Sequence, residues 1–241
     1  MSDAVRQWIA AAKHLVVLTG AGMSAESGVP TFRDALAGLW AKFSPEELAT
    51  EQAFRADPQR VWDWYVSRRE AVAAVQPNAG HAALAAFQSR HSGRFALITQ
   101  NVDGLHQRAG SVHTIALHGA LSEDRWLDSA RACCTADSIE PGRPPRCSVC
   151  GNLRRPSVVW FGEQLPAPEL GAAEDAAQHC DLMLVVGTSG VVYPAAGLVL
   201  SAHQHNARVV MINPEPTELD RVADACLRQP AAVCLPSLLR A

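Results

Sequence analysis

Four short apolar runs, each closed by small or polar residues, constrain the fold of this 241-residue chain more than anything else in it. Leu15-Val16-Val17-Leu18 runs into Thr19-Gly20-Ala21-Gly22, and Phe95-Ala96-Leu97-Ile98 into Thr99-Gln100-Asn101-Val102-Asp103. Leu182-Met183-Leu184-Val185-Val186 runs into Gly187-Thr188-Ser189, and Val209-Val210-Met211-Ile212 into Asn213-Pro214-Glu215. Runs this short and this unbroken suit strands buried on both faces of a parallel sheet. Helical stretches separate them, Gly80 to Ser89 and Pro168 to His179 among them. That alternation predicts an α/β fold with a doubly wound parallel sheet. Ligands bind beyond the carboxyl ends of such strands. The four polar clusters are therefore expected to converge on one cleft.

Two segments break the rhythm. Residues 33–77 read as helical, and residues 119–157 are rich in Pro, Arg and Cys without a period. Both are expected to be insertions that form a smaller domain. Asp57-Pro58 has the pattern of a helix N-cap followed by proline at the first helical position. Val61, Tyr65, Arg68, Val72 and Val75 then fall at spacings of four, three, four and three, one face of a helix. Arg68 is out of place on that stripe, because a buried guanidinium needs an anion or a route to water. A structural salt bridge is one explanation.

The glycines of Gly20 to Gly28 are suited to close approach by phosphate, held by N–H groups or a helix N-terminus. Their spacing is not G-x-G-x-x-G, and no acidic residue closes the second strand, which disfavours an ordinary dehydrogenase. A plain glycine turn is the structural alternative. A formal charge of -3 gives no basic footprint, so nucleic acid is not an expected partner. No signal-peptide pattern opens the chain, and the uncharged stretch Leu182 to Ala202 is interrupted by Gly187 to Gly190 and Pro194. A strand, loop and helix are expected there, with no membrane partner and a cytoplasmic location.

Seven cysteines without a secretion signal argue against a disulfide framework. Cys133, Cys134, Cys147 and Cys150 read as possible metal ligands, and Cys180, Cys226 and Cys234 as small buried hydrophobes.

Six motifs taken in order closely resemble the sirtuins, the NAD-dependent protein deacylases. They are Gly20 to Gly28, Pro30 to Arg33, Gln100 to Asp103, Leu117-His118-Gly119, Val158 to Glu163 and Gly187 to Ser189. The resemblance implies a Rossmann-like domain (1–32, 78–118 and 158–241) and a smaller domain. The smaller domain would hold a helical module (33–77) and a zinc-ribbon-like module (119–157). It also implies a chemistry in which NAD is consumed. The acyl-lysine oxygen displaces nicotinamide, a histidine deprotonates a ribose hydroxyl that attacks the resulting imidate, and water releases lysine and O-acyl-ADP-ribose.

On that resemblance His118 is the general base, a role that suits an imidazole titrating near neutrality. Asn101 and Asp103 match positions that orient nicotinamide and ribose, with a helix N-cap as the structural alternative for Asp103. Gln100 matches a ribose contact. Gly20, Ala21, Gly22, Ser24, Ala25 and Glu26 match the phosphate loop, and Thr31, Phe32 and Arg33 a cofactor-binding loop. Gly187, Thr188 and Ser189 match further phosphate or ribose contacts, Asn213 the adenosine end, and Ala231 a place beside adenine. Val159, Trp160, Phe161 and Gly162 match the segment that pairs with substrate backbone. Tyr65 and Arg68 match the pair in class III sirtuins that binds the distal carboxylate of succinyl-, malonyl- or glutaryl-lysine. Acylated lysines on proteins or peptides are thus the expected partners.

The metal site departs from the family pattern of two C-x-x-C pairs separated by about 15–20 residues. Cys147 and Cys150 form the second pair, but Trp126 and Ser129 stand where the first is expected. Two outcomes follow: Cys133 and Cys134 substitute, or the module is zinc-free and Trp126 fills the space. An NAD glycohydrolase, an ADP-ribosyl transferase and a catalytically dead NAD sensor are the competing functions.

Overall fold

The structure, a computed structural model, describes residues 2–29 and 45–240. Thr31, Phe32 and Arg33 lie outside the described residues. Ten strands are described: β1 (His14–Thr19), β2 (Arg94–Thr99), β3 (Ile115–Ala116), β4 (Gly119–Trp126), β5 (Ile139–Glu140), β6 (Arg146–Cys147), β7 (Arg154–Val158), β8 (Leu182–Val186), β9 (Arg208–Ile212) and β10 (Ala225–Leu227). The helices are α1 (Ser2–Ala11), α2 (Pro45–Leu48), α3 (Glu51–Ala56), α4 (Pro58–Ala74), α5 (Ala79–Arg90), α6 (Leu105–Arg108), α7 (Ala167–His179), α8 (Ala195–Gln204) and α9 (Ala231–Leu238). No helix among the described residues is long and apolar enough to cross a membrane.

Six strands form one parallel sheet in the order β10-β9-β8-β1-β2-β3. The chain lays β2 and β3 on one side of β1, then returns to build β8, β9 and β10 on the other. The order reverses between β1 and β8, which opens a crevice at their carboxyl ends. Register places Thr19 beside Thr99 on one side and Val186 on the other, so the loops after β1, β2 and β8 start level. The four apolar runs of the sequence are all strands of this sheet. β3 and β10, two and three residues long, are additions at its edges.

Alternate side chains of each strand feed opposite cores. Leu15, Val17, Leu97, Leu184 and Val210 pack with α5 and α9 through Leu84, Phe87, Leu235 and Leu238. Val16, Leu18, Met183, Val185 and Met211 pack on the other face with Ala173, Ala177, Leu198 and Val199 of α7 and α8. Burial of each such large side chain contributes about 1.5–3 kcal/mol relative to exposure.

A third core stands apart, built from Leu48, Phe54, Val61, Trp62, Tyr65, Leu121, Val158 and Trp160. It joins α2, α3 and α4 to the antiparallel pair β4–β7. Asp57 caps α4 as the sequence suggests, its carboxylate accepting from Arg60 N at 3.1 Å. The stripe predicted on α4 is shorter than expected. The helix stops at Ala74, leaving Val75 extended, and Trp62 joins Val61 and Tyr65 in the buried set. Two arginines anchor this helix. Arg69 donates to Leu121 O at 2.5 Å and ion-pairs with Asp124, while Arg108 donates to Val72 O at 2.9 Å and Val75 O at 2.5 Å.

Candidate active site

The loops after β1 and β8 meet so closely that glycine is required in both. A Cβ on Gly20 would lie 2.8 Å from the Thr188 Cβ, and one on Gly22 2.8 Å from the Gly187 Cα. Gly187, with φ +60°, would place a Cβ 2.4 Å from Met23 N. The two loops are also hydrogen-bonded, Gly20 N to Val186 O at 2.9 Å and Gly22 N to Gly187 O at 2.8 Å. The amides of Gly20 and Gly22 are used to join loops, so these glycines shape the cleft floor rather than offer their own N–H groups to phosphate. Ala25 and Glu26 follow in a short 3-10 turn, and the Glu26 carboxylate faces Ala232 N at 3.4 Å at the start of α9. Ala231 is buried beside it.

Polar side chains from four strand ends converge above this floor. Asn101 Nδ2 donates to Gly20 O at 3.0 Å and Ser24 Oγ at 3.2 Å. Ser24 Oγ in turn donates to Asp103 Oδ2 at 2.7 Å, while Asp103 Oδ1 accepts from Leu105 N at 2.9 Å. Asp103 therefore both joins the cleft network and steadies the start of α6. Gln100 Nε2 donates to Thr188 Oγ1 at 3.1 Å, and Asn213 Nδ2 to Thr188 O at 2.9 Å. Ser189 follows, half-buried, in the same loop.

His118 closes the far side of the cleft. Its Nδ1 lies 2.9 Å from Gln100 O. A carbonyl only accepts, so Nδ1 carries the hydrogen and Nε2 keeps its lone pair. Burial lowers the imidazole's pKa below its ordinary value, with the Gln100 carbonyl pulling it back up. Burial thus favours the neutral ring, the state a base needs.

The segment after β7 runs beside His118, with Val159 N donating to His118 O at 2.9 Å. Trp160 N donates to Glu163 Oε2 at 2.8 Å, and Phe161 N to Ala49 O at 2.9 Å. Three N–H groups of this segment are thus already bonded within the chain, so an incoming backbone must pair with other groups there. Phe161 is 49% exposed, and Gly162 beyond it has φ +85°.

On α4, Tyr65 is buried and Arg68 half-buried. The Arg68 guanidinium lies 4.9 Å from the Trp64 ring centre and 5.8 Å from that of Tyr65. Burial lowers its pKa, while Tyr65 and then Asp103 raise it.

The Sγ atoms of Cys133, Cys134, Cys147 and Cys150 all lie within 4.8 Å of one another. Those of Cys134 and Cys150 are 3.6 Å apart. A tetrahedral zinc with Zn–S bonds of about 2.3 Å places sulfurs about 3.8 Å apart, so this cluster fits the ion. Cys133 and Cys134 thus bring their sulfurs to the second pair even though Trp126 and Ser129 stand where the first pair is expected. Trp126 does not fill a void: it is half-buried, with the Arg154 guanidinium 5.0 Å over its ring. Of the other cysteines, Cys180 and Cys234 are buried as expected, whereas Cys226 is only half-buried.

Comparison with known proteins bears on this arrangement. Residues 20–194 match the model of the Sir2 family. The chain belongs to that family. It is similar to the NAD-dependent protein deacylase of Ralstonia nicotianae, 61% identical over 97% of this chain and 94% of that one. It is also similar to NAD-dependent protein deacylase 1 of Pseudomonas aeruginosa, 53% identical over 98% of this chain and 97% of that one. Among solved structures, a Sir2 homolog–NAD complex matches with a TM-score of 0.89 at 46% identity, covering 100% of this chain and 93% of that one. A complex of Sir2 with a p53 peptide and NAD+ matches with a TM-score of 0.85 at 30% identity, covering 99% and 97%.

This Sir2 chain also has a buried polar network that sequence reasoning passed over. His81 and His106 stack edge to face with ring centres 4.8 Å apart. His106 Nε2 lies 3.0 Å from Thr19 Oγ1, which donates to Thr99 Oγ1 at 2.8 Å. Asn78 ties the network to the first loop by donating to Met23 O at 2.8 Å. The signal for these residues was weak, because His81 and His106 stand among other histidines with equally polar neighbours.

Proposed function

We propose that this chain is an NAD-dependent protein-lysine deacylase that favours acidic acyl groups, succinyl, malonyl or glutaryl, over acetyl. It would release nicotinamide and O-acyl-ADP-ribose. The observation that carries the acidic preference is Arg68, a half-buried cation on α4 whose guanidinium lies 5.8 Å from the ring centre of Tyr65. A guanidinium can clasp a carboxylate through two parallel hydrogen bonds, and a phenol can add a third. An acetyl group has no use for that charge.

The residues present fit NAD: the glycines let the loops after β1 and β8 close into one floor, and the side chains of Asn101, Asp103, Gln100 and Thr188 converge over it. Bound there, NAD would supply the ribose carbon that loses nicotinamide and takes the acyl oxygen. Asn101 and Asp103, both bonded to Ser24 Oγ, would orient the nicotinamide end. Gln100, Thr188 and Ser189 would hold the ribose and phosphates, with Asn213 and Ala231 at the adenosine end. His118 would take a hydroxyl proton on Nε2 while Gln100 O holds Nδ1. Val159 to Gly162 would receive the substrate backbone. Thr31, Phe32 and Arg33 are assigned to the cofactor loop on the resemblance alone.

Cys133, Cys134, Cys147 and Cys150 would hold one structural zinc, which clamps the module between β4 and β7. The division into residues 1–32, 78–118 and 158–241 against 33–77 and 119–157 is supported by the separate core that Phe54, Val61 and Tyr65 share with Leu121, although Val158 and Trp160 join that core from across the boundary. Metal analysis of purified protein is expected to find one zinc per chain. Cys134→Ser should lose it together with thermal stability. A folded, active, zinc-free protein would overturn the assignment.

The activity is tested by following nicotinamide release with and without acyl-lysine peptides. Release that requires the peptide, faster with succinyl than acetyl, is expected. Equal release without peptide would favour a glycohydrolase, and none at all a sensor.

A further inference from the structure

Trp160 is 2% exposed and is held from both sides. Beneath it, the Arg155 guanidinium lies 3.2 Å from the ring centre, a stacked cation on an indole face. Arg155 is itself 1% exposed. It donates twice to the Glu163 carboxylate, through Nη1 and through Nη2 at 3.1 Å, and Nη2 also reaches Val158 O at 2.7 Å. Glu163 Oε2 then accepts the backbone N–H of Trp160 at 2.8 Å. One buried ion pair thus fixes both the ring and the backbone of this tryptophan. On the opposite side the indole Nε1–H donates to the Tyr65 hydroxyl oxygen at 2.9 Å.

That last bond has a direction. An indole nitrogen can only donate, so the phenol oxygen accepts, and its own hydrogen is left to donate elsewhere. A phenol keeps that hydrogen near neutral pH, and burial, which pushes its pKa up to about 12, holds it more firmly still. A carboxylate offers only acceptors, so a phenol locked as donor suits it.

The geometry points to Trp160 as a specificity-positioning residue: its indole N–H, held by the Arg155–Glu163 pair, turns the Tyr65 hydroxyl toward the distal carboxylate of an acidic acyl chain. This inference rests on the proposed role of Tyr65 and Arg68. It adds that acyl selectivity depends on a bond spanning 95 residues of sequence, from the loop after β7 to α4.

Trp160→Phe keeps an aromatic ring over Arg155 and removes only the N–H donor and part of the indole. In the full chain with NAD, the ratio of kcat/KM for succinyl over acetyl peptide is expected to fall about threefold to tenfold, the net worth of one hydrogen bond. The loss should lie mainly in KM for the succinyl peptide. Tyr65→Phe in the same background should lower the ratio little further, because coupled residues are not additive. Equal loss on both substrates, or fully independent effects of the two changes, would overturn the inference. If Trp160→Phe does not fold, Arg155→Lys, which keeps the charge but loses the planar stack, should lower the ratio in the same direction. An unchanged ratio there would equally overturn it. Arg68→Met separates the two levels. A ratio that collapses in Arg68→Met but not in Trp160→Phe refutes the positioning role alone. A ratio that moves in neither refutes the Tyr65–Arg68 reading and this inference with it.

Discussion

Replacing His118 by alanine is expected to lower deacylation about a hundred- to ten-thousand-fold, the usual contribution of a positioned general base. NAD binding should survive, because the residues assigned to the cofactor are tied to one another through Ser24, Gly20 and Thr188, not through the imidazole. Calorimetric titration of NAD into the variant checks the second half of the statement. The wild-type pH profile checks the first. With His118 as the base, its neutral form is the active one, and burial disfavours the imidazolium and lowers the pKa below the ordinary 6.5. Activity should therefore fall on the acid side with a midpoint below pH 6.5. The acid limb of kcat/KM reports the free enzyme. A limb centred above pH 6.5, or near-normal turnover in His118→Ala, would remove His118 from the role.

Arg68→Met should lower desuccinylation far more than deacetylation. The methionine keeps much of the stem that packs on α4 and removes the charge. Removing one partner from a buried charge pair costs about 2–5 kcal/mol. That converts to about thirtyfold to several thousandfold in kcat/KM for the acidic substrate. The competing explanation is that Arg68 is structural, fixed between Trp64 and Tyr65 and electrostatically linked to Asp103. A structural residue would impair both substrates alike and lower the melting temperature. Peptides differing only in the acyl group separate these outcomes.

The sheet and its cleft were legible because their signals are local. Val16-Val17 and Val185-Val186 are buried on both faces of the sheet and so must be apolar at every position. The polar residues that end each run are forced to the carboxyl edge by the parallel topology. The edge strands β3 and β10 were not legible, since two or three residues carry no period. The bonds made by the glycines of the first loop were hidden for a different reason. Gly22 is needed because Gly187, far away in sequence, packs against it. Cys133 and Cys134 illustrate the same limit. Spacing rules describe the usual loop, and here the chain reaches the sulfurs of Cys147 and Cys150 by another route. Nothing in the order of residues announces that Trp160 would donate to Tyr65, or that Arg155 would be buried beneath it.

The most direct test of the central claim is the identity of the products. Wild-type protein is incubated with NAD and a succinyl-lysine peptide, and the nucleotide product is weighed by mass spectrometry. The account predicts O-succinyl-ADP-ribose, free lysine peptide and nicotinamide in equal amounts. ADP-ribose and nicotinamide accumulating beside an intact succinyl peptide would contradict it.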